Sequence, residues 1–195
     1  VSQLPDAYRR LEGGMEFDMA GQIWQVVVGN GHSPEHACLY CPELNVLISG
    51  DQLLPKISSN VSVFPTEPGA DPLKDWLDSC EKLKSSIAAD VLVLPAHNEP
   101  FTGAHDRLSH LIRGHEVALK RLLQRLTQEP RRVVDIFPAI FGRKIGEDVL
   151  SMATGEAIAH LNCLIARGQA VVEADDKGVN WYRAGLGEML AEADA

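Results

Sequence analysis

Short apolar segments separated by turn residues dominate the first half of the chain. The segments MEFDM and IWQVVV, joined by AGQ, predict one β-hairpin, and HACLYC and NVLIS predict a second one. After a loop rich in Ser and Pro, Asp71 and Pro72 supply the N-cap and first-turn proline of a helix. A buried-strand pattern, ADVLVLPAH, follows that helix. Strand, crossover helix and strand in this order predict an α/β layer fold.

A long amphipathic segment divides the chain. Apolar positions recur at helical spacing from Asp106 to about Thr127, and Pro130 ends the pattern. We therefore predict a domain boundary at this break, with residues 1–128 as one domain and residues 129–195 as another.

The second predicted domain has the pattern of a winged helix. Short helices are predicted at 133–141 and 147–153, and a third at 155–167 has Thr154 as its N-cap. Two short strands, AVVEA and VNWYRA, flank the turn DDKG. Three helices and a two-stranded wing are typical of winged-helix domains, which bind DNA through their third helix.

Composition and charge narrow the classes of partner. A net charge of −9 over 195 residues argues against a broad nucleic-acid interface, which needs clustered Lys and Arg. No apolar run approaches the ~18 residues of a membrane span, so no membrane partner is expected. Four scattered cysteines favour a reducing, cytoplasmic compartment. Of these, Cys38 and Cys41 form a CxxC in an extended segment, where they point to opposite faces, so strand packing is favoured over a zinc or redox role.

Three side chains with metal-ligating chemistry each follow an apolar strand. His32 comes after IWQVVV, Asp51 after NVLIS, and His97 after VLVLP. Ligands collect beyond the strand ends of an open α/β sheet, and imidazole with carboxylate suits a divalent first-row metal. Gly31 and Gly50 precede the first two residues and permit tight turns. A lone histidine at a strand end is also commonly a surface residue, so spacing alone leaves both interpretations open.

The order of three motifs resembles the metallo-β-lactamase superfamily. GHSPEH at 31–36, ISGD at 48–51 and LPAHN at 94–98 match the order PGHTxxH, SGD and PGH in the branch of glyoxalase II-like hydrolases and lactamase-β-like endoribonucleases. The C-terminal pattern is similar to the winged-helix appendage of that branch. The resemblance implies an α/β fold in which the second half of an αββα sandwich precedes a small helical winged-helix domain.

The resemblance also implies roles for individual residues. His32 would bind the first metal, His97 would belong to the second, and Asp51 would bridge the two and take part in catalysis. His36 matches the second histidine of the first motif and is expected to orient the site by hydrogen bonding rather than to bind metal.

The loop after Asp51 supplies the candidates for substrate contact. Ser58, Ser59 and Asn60 are expected to border the cleft, although Ser and Asn in loops commonly satisfy backbone groups instead.

Hydrolysis is the activity that the resemblance implies. Two divalent metal ions, zinc foremost with iron or manganese as alternatives, would supply a hydroxide that attacks an ester, thioester or phosphodiester. A small-molecule ester or thioester is the favoured substrate, and RNA is kept because some relatives cleave RNA. Two other classes stay open: an RNA-binding or RNA-processing protein that uses the winged helix, and a degenerate non-catalytic scaffold.

The family's upstream HxHxDH motif is absent, since no two histidines of this sequence lie two residues apart. The chain is therefore expected to be the second half of a hydrolase domain, either truncated, as its non-Met start favours, or reduced by natural loss. Alone it is expected to bind metal weakly and to show no useful turnover. Apolar surface left by the missing half would favour homo-oligomers.

Overall fold

The structure, a computed structural model, describes residues 6–142 and 144–185. The outermost parts of both predicted domains lie outside these ranges. A five-stranded sheet has the strand order β1-β2-β3-β4-β5. Its strands are β1 (Glu16–Met19), β2 (Gln22–Gly29), β3 (His36–Cys41), β4 (Val46–Gly50) and β5 (Leu92–Pro95).

Neighbouring strands pair as the hydrophobic pattern predicts. β1–β2 and β3–β4 form the two hairpins, and β2 pairs antiparallel with β3. β5 returns parallel to β4 through a helical crossover. Because Gly29 lies opposite His36 and Gly50 pairs with Pro95, the ends of β2, β4 and β5 and the start of β3 meet at one edge of the sheet.

The crossover helix α1 (Pro72–Ser86) begins as predicted. The Asp71 side chain accepts a hydrogen bond from the Lys74 backbone N–H, and Pro72 occupies the first turn. Trp76 is fully buried. Gly31 has φ +100°, and a Cβ there would lie 2.5 Å from the Trp76 Cβ, so only glycine lets the segment after β2 pass this closely against α1.

The helical layer follows the sheet in the chain. It consists of α2 (Ala104–Gln128), α3 (Phe137–Ile140), α4 (Leu150–Ala166) and the hairpin of β6 (Ala170–Ala174) and β7 (Asn180–Ala184). The long helix α2 and the hairpin confirm their predictions. The first short helix is observed as a 3₁₀ turn, Val133–Ile136, that runs into α3.

The prediction that a new helix begins at Thr154 is wrong. Residues 150–166 form one continuous helix, and the Thr154 hydroxyl donates to the Leu150 carbonyl inside it. Gly155 lies inside this helix, where its lack of a Cβ allows close packing. A Cβ there would lie 2.9 Å from the Ser62 Cβ, and the Gly155 carbonyl accepts a hydrogen bond from the Val63 N–H.

One hydrophobic cluster connects the two predicted domains. Trp76 of α1, Leu108 of α2 and Leu161 of α4 are fully buried members of the same cluster. The break at residues 128–129 therefore falls within a continuous core, and its role as a domain boundary stays a prediction.

Among the described residues, Glu147–Ala166 is the one helical segment that is both long and apolar enough to be compared with a membrane span. By length and composition alone, its mean hydropathy of 1.3 would allow it to cross a membrane. In the fold it packs against α1, α2, α3 and β6, with Leu161 and Cys163 fully buried. Core helices of folded domains pass the same test, so a single such helix is weak evidence for a membrane span.

The continuous core generates a prediction for unfolding. Leu161→Ala should lower the free energy of unfolding by about 2–5 kcal/mol, because it leaves a cavity in the cluster that α1, α2 and α4 share. Urea unfolding followed by tryptophan fluorescence and by far-UV circular dichroism should give one coincident, shifted transition. The exposed Val117 supplies the control, since Val117→Ala should change stability by less than about 0.5 kcal/mol. Two separate transitions would show that the predicted domains unfold independently.

Candidate metal centre

The three predicted metal ligands meet at the sheet edge where the strand ends converge. His32 lies in the segment after β2, Asp51 follows β4 directly, and His97 comes two residues after β5. These residues are distant in sequence, and the parallel pairing of β4 with β5 brings the last two together.

The Asp51 carboxylate lies between two imidazoles. Its Oδ1 is 3.3 Å from His97 Nε2, and its Oδ2 is 3.8 Å from His32 Nε2. The Asp51 and His32 side chains are about 30% exposed, whereas that of His97 is 63% exposed, so the group opens to solvent on the His97 side. Each carboxylate oxygen therefore faces a different ring nitrogen.

A backbone carbonyl orients His32. Its Nδ1 lies 2.8 Å from the Asn60 carbonyl oxygen, which can only accept a hydrogen bond. Nδ1 must therefore carry the proton and donate it, and in the neutral ring Nε2 keeps its lone pair on the side of Asp51. Metal-binding histidines in proteins commonly have this arrangement, with one nitrogen tied to a carbonyl and the other free to ligate.

His36 lies beside this group rather than within it. Its Nε2 donates to the Ser49 carbonyl at 3.2 Å, and its Nδ1 is 3.3 Å from the Ser33 hydroxyl. Burial lowers the pKa of His36, against a smaller raising effect of the Ser49 hydrogen bond. The ring packs edge-on against His32, with ring centroids 6.4 Å apart. Its predicted orienting role stays a prediction, and the contacts above are the route by which it would act.

Two separate constraints, a backbone angle and a close neighbour, require a glycine at position 50, in the turn before Asp51. Its φ is +53°, and a Cβ there would lie 2.4 Å from His36 Nε2. The glycine thus serves both a left-handed backbone and the close approach of the imidazole.

The loop after Asp51 is tied into the protein through two of its three predicted substrate-contact residues. The buried Ser59 hydroxyl donates to the Asp51 backbone carbonyl, and Asn60 Nδ2 donates to Glu156 Oε2 at 2.9 Å. Ser58 is exposed. Contact of these residues with substrate stays a prediction, because the bonds of Ser59 and Asn60 position the loop.

A polar cluster beside Asn60, called the buried cluster below, consists of the buried His115 and His160 and the half-buried Glu156, and the sequence did not predict it. His160 Nδ1 donates to the Glu156 backbone carbonyl at 2.8 Å, and His115 Nδ1 lies 3.4 Å from His160 Nε2. Burial raises the pKa of Glu156 to about 7 and lowers the pKa of His115 and of His160 to about 4. The available signal was an ionisable pair four residues apart, Glu156 and His160, in the most apolar helix.

The residues around Asp51 have the chemistry of a metal site but form only part of one. Within residues 6–142 and 144–185, no group of three or more His, Cys, Asp or Glu is arranged to hold a metal ion alone. The donors present, two imidazoles on opposite oxygens of one carboxylate, fit a centre shared by two cations that is completed by further ligands. Cys38 and Cys41 take no part, since both are buried in β3.

The turn at Gly50 yields a stability prediction with an internal control. Gly50→Ala and Gly14→Ala each force alanine into positive φ, which costs about 1–2 kcal/mol. Only Gly50→Ala also drives a methyl group into His36, which should add about 1–3 kcal/mol, because Gly14 has open space around it. Urea unfolding measures both losses, and equal losses would contradict the close contact.

The buried cluster predicts opposite pH trends for two variants. His115 takes up a proton at about pH 4 when folded and near 6.5 when unfolded, so it costs the native state stability as pH falls through that window. Between pH 7 and pH 4, the unfolding free energy of His115→Phe should therefore rise by ~2–3 kcal/mol relative to that of the native protein.

Burial raises the pKa of Glu156 to about 7 in the folded protein, against 4.5 in the unfolded chain. The unfolding free energy of Glu156→Gln should therefore rise relative to that of the native protein as the pH increases from 5 to 8. Urea unfolding of each variant and of the native protein across this pH range tests both predictions. A difference in unfolding free energy that does not change with pH would contradict the pKa shifts of His115 and Glu156.

Comparison with known proteins is consistent with the fold and the order of the motifs. The structure superposes on a beta-lactamase domain protein from Burkholderia ambifaria with a TM-score of 0.89 and 40% identity, over 94% of this chain and 54% of that one. A metallo-beta-lactamase family protein from Thermus thermophilus gives a TM-score of 0.78 and 28% identity, over 92% and 55% respectively.

Two curated fungal proteins are similar in sequence. The lactamase-like protein nscB of Neosartorya fischeri is 31% identical over 131 residues, which are 67% of this chain and 37% of that protein. The atrochrysone carboxyl ACP thioesterase of Emericella nidulans is 26% identical over 182 residues, 90% of this chain and 55% of that protein. The chain thus spans between about a third and about half of the length of the curated relatives it matches.

Two family models match consecutive parts of the chain. Residues 2–97 match the metallo-beta-lactamase superfamily, and residues 119–185 match the metallo-beta-lactamase-like C-terminal domain. The first match contains His32, Asp51 and His97, and the second covers most of the helical layer. The chain belongs to the metallo-β-lactamase superfamily.

Proposed function

We propose that this chain contributes His32, Asp51 and His97 to the two-metal centre of a hydrolase that cleaves thioesters or related esters. One observation carries the proposal: the two oxygens of the Asp51 carboxylate face the Nε2 atoms of two different imidazoles. Bound divalent ions would supply activated water and stabilise negative charge that develops on the substrate. Zinc is favoured for these donors, with iron and manganese as alternatives.

The surrounding residues would hold the donors in place. The Asn60 carbonyl keeps the proton of His32 on Nδ1, so that Nε2 is free to ligate. The Ser59 hydroxyl, bonded to the Asp51 backbone carbonyl, restrains the turn that carries the carboxylate. Asp51 would also accept a proton released at the centre, because its two oxygens are the anionic atoms between the imidazoles.

Further ligands outside these 195 residues would complete the centre. The HxHxDH motif of the superfamily is not in this sequence, and the three donors present do not fill two metal sites. We propose that the chain alone binds metal weakly and turns over no substrate usefully. We also propose self-association of the chain and a cytoplasmic location.

A thioester is favoured among the substrates because of one relative. The protein from Emericella nidulans that is named a thioesterase matches 90% of this chain, so both the sheet edge and the helical layer fall within the shared region. We propose a small-molecule thioester on that basis.

The nucleic-acid alternative is disfavoured by the contacts of α4. Of the polar residues on that helix, Asn162 Nδ2 donates to the Pro68 and Ala70 carbonyls, and His160 is buried. Arg167, at the end of the helix, pairs with Glu116 at 2.7 Å. Groups that are bonded within the protein in this way are unavailable for reading a nucleic-acid groove. These contacts concern binding by α4 and not RNA cleavage at the proposed metal centre.

The decisive experiment uses a longer protein that carries an upstream HxHxDH segment. Asp51→Asn should lower kcat/KM for an acyl thioester by about 100-fold or more and reduce the metal content, because it removes the shared anionic ligand. Asp78→Asn is the matched control, since Asp78 is exposed and paired with Lys74 far along the chain from the centre. Thiol release and elemental analysis give the two readouts. Full activity of Asp51→Asn would refute the assignment, and absence of metal and turnover in the native longer protein would favour the scaffold alternative.

A further inference from the structure

A cavity of about 590 Å³ opens between α2, α4 and the loop after Asp51. We propose that this cavity, called the acyl cavity below, binds the acyl group of the substrate and selects acyl groups that carry alcohol or phenol O–H groups. Only the identification of the ligand as an acyl group rests on the proposed hydrolase function, because the cavity itself is formed by described residues. Its lining includes Lys56, Arg107, Gly114, His115, Phe141 and Glu156.

Hydrogen bonds of Asn60 connect the wall of the acyl cavity to one of the proposed metal donors. Glu156, in the cavity wall, accepts a hydrogen bond from the Asn60 side chain at 2.9 Å, and the Asn60 carbonyl accepts one from His32 Nδ1 at 2.8 Å. Ser58 of the same loop also lines the cavity. His32, Asp51 and His97 do not themselves line the cavity, so Asn60 and this loop are the connection between the two sites.

The direction of each hydrogen bond in the buried cluster follows from one carbonyl. The Glu156 backbone oxygen can only accept, so His160 Nδ1 donates and His160 Nε2 is left as an acceptor. His115 Nδ1 must then donate to His160 Nε2. In the neutral ring, His115 Nε2 consequently carries a lone pair.

That lone pair gives the acyl cavity an acceptor in need of a donor. His115 lines the cavity and is only 7% exposed, and among the described residues its Nε2 has no hydrogen-bond partner. Burial keeps both imidazoles in the neutral form, since the pKa of each is about 4. Glu156 adds a second acceptor, because only its Oε2 receives the Asn60 amide. These two acceptors, one on a buried imidazole and one on a half-buried carboxylate, favour a ligand that donates.

The remaining walls suit an apolar ring or chain. Leu111, Ala118, Ile140 and Phe141 line the cavity beside the polar groups. The volume falls within the range of small-molecule sites, about 300–1,000 Å³. The cavity thus combines apolar walls with acceptors on His115 and Glu156 and with donors on Lys56 and Arg107, which suits a hydroxylated acyl group better than a plain aliphatic one.

Gly114 provides a way to close the acyl cavity without disturbing the fold. It lies in the middle of α2, lines the cavity, and a Cβ placed on it meets no atom within 4 Å. Leucine is also a better helix former than glycine. Gly114→Leu should therefore fold and fill the space that a ligand would occupy.

The test is binding of two probes to the 195-residue chain, measured by calorimetry at pH 7.5. 6-Hydroxy-2-naphthoic acid should bind about tenfold more tightly than 2-naphthoic acid, which lacks the hydroxyl group. Gly114→Leu should abolish binding of both probes, and Val117→Leu, on the exposed side of the same helix, should leave both unchanged. His115→Phe should remove the preference while still binding 2-naphthoic acid.

The outcomes separate this inference from the proposed function. Equal affinities of the two probes for the native chain, or unchanged binding in Gly114→Leu, would overturn the inference. His97→Gln should leave probe binding unaltered, because His97 does not line the acyl cavity. Selective binding together with an inactive metal centre in the longer protein would support the cavity and refute the hydrolase.

Discussion

The hydrogen bond between His32 Nδ1 and the Asn60 carbonyl joins the parts of this protein on which its chemistry depends. It connects the segment after β2 to the loop after Asp51, and it decides which nitrogen of His32 faces the carboxylate. Without it the imidazole could rotate or change tautomer, and the arrangement of two rings around one carboxylate would lose its orientation. The strand register brings the residues together, and this bond gives one of them its chemical direction.

The loop that contributes this carbonyl is itself held by the helical layer. Arg107 of α2 donates to the Leu54 and Ile57 carbonyls, and Val63 N–H bonds to Gly155 of α4. Further along, Asn162 of α4 donates to the Pro68 and Ala70 carbonyls. A long segment without regular structure is thus ordered by side chains of both long helices. The helical layer positions the sheet edge as well as covering the core.

Much of the fold could be predicted from local patterns, because hairpins, caps and amphipathic helices are written in residues close in sequence. The N-cap Asp71 and the two hairpins are of this kind. The order of the histidine and aspartate motifs could also be recognised, and the strand register explains why those residues converge. Thr154 and Gly155 show the limit: the sequence predicts a helix start there, but both lie inside α4, where contact with the distant Ser62 requires a glycine.

The buried cluster shows the same limit for chemistry. Nothing near His115 in the sequence indicates that His160 will face it, since the pair forms only when α2 packs on α4. The pKa values of the two imidazoles and of Glu156 depend on that packing, because burial is their largest cause. The sequence predicts a helix over residues 155–167 without giving Glu156 or His160 a role, whereas the packing places His160 in the core and the half-buried Glu156 against Asn60.

Asn60 makes the two ends of the proposed active centre inseparable. Its side-chain amide donates to Glu156 and its main-chain oxygen accepts from His32, so one residue would link the proposed acyl selectivity to the proposed metal affinity. Replacing Glu156 to change the substrate range would therefore also weaken the restraint on the His32 imidazole, which would bind a cation in the proposed centre. Substrate range in such a protein would evolve more readily through Ile140 or Phe141, which line the same space without a bond to that relay.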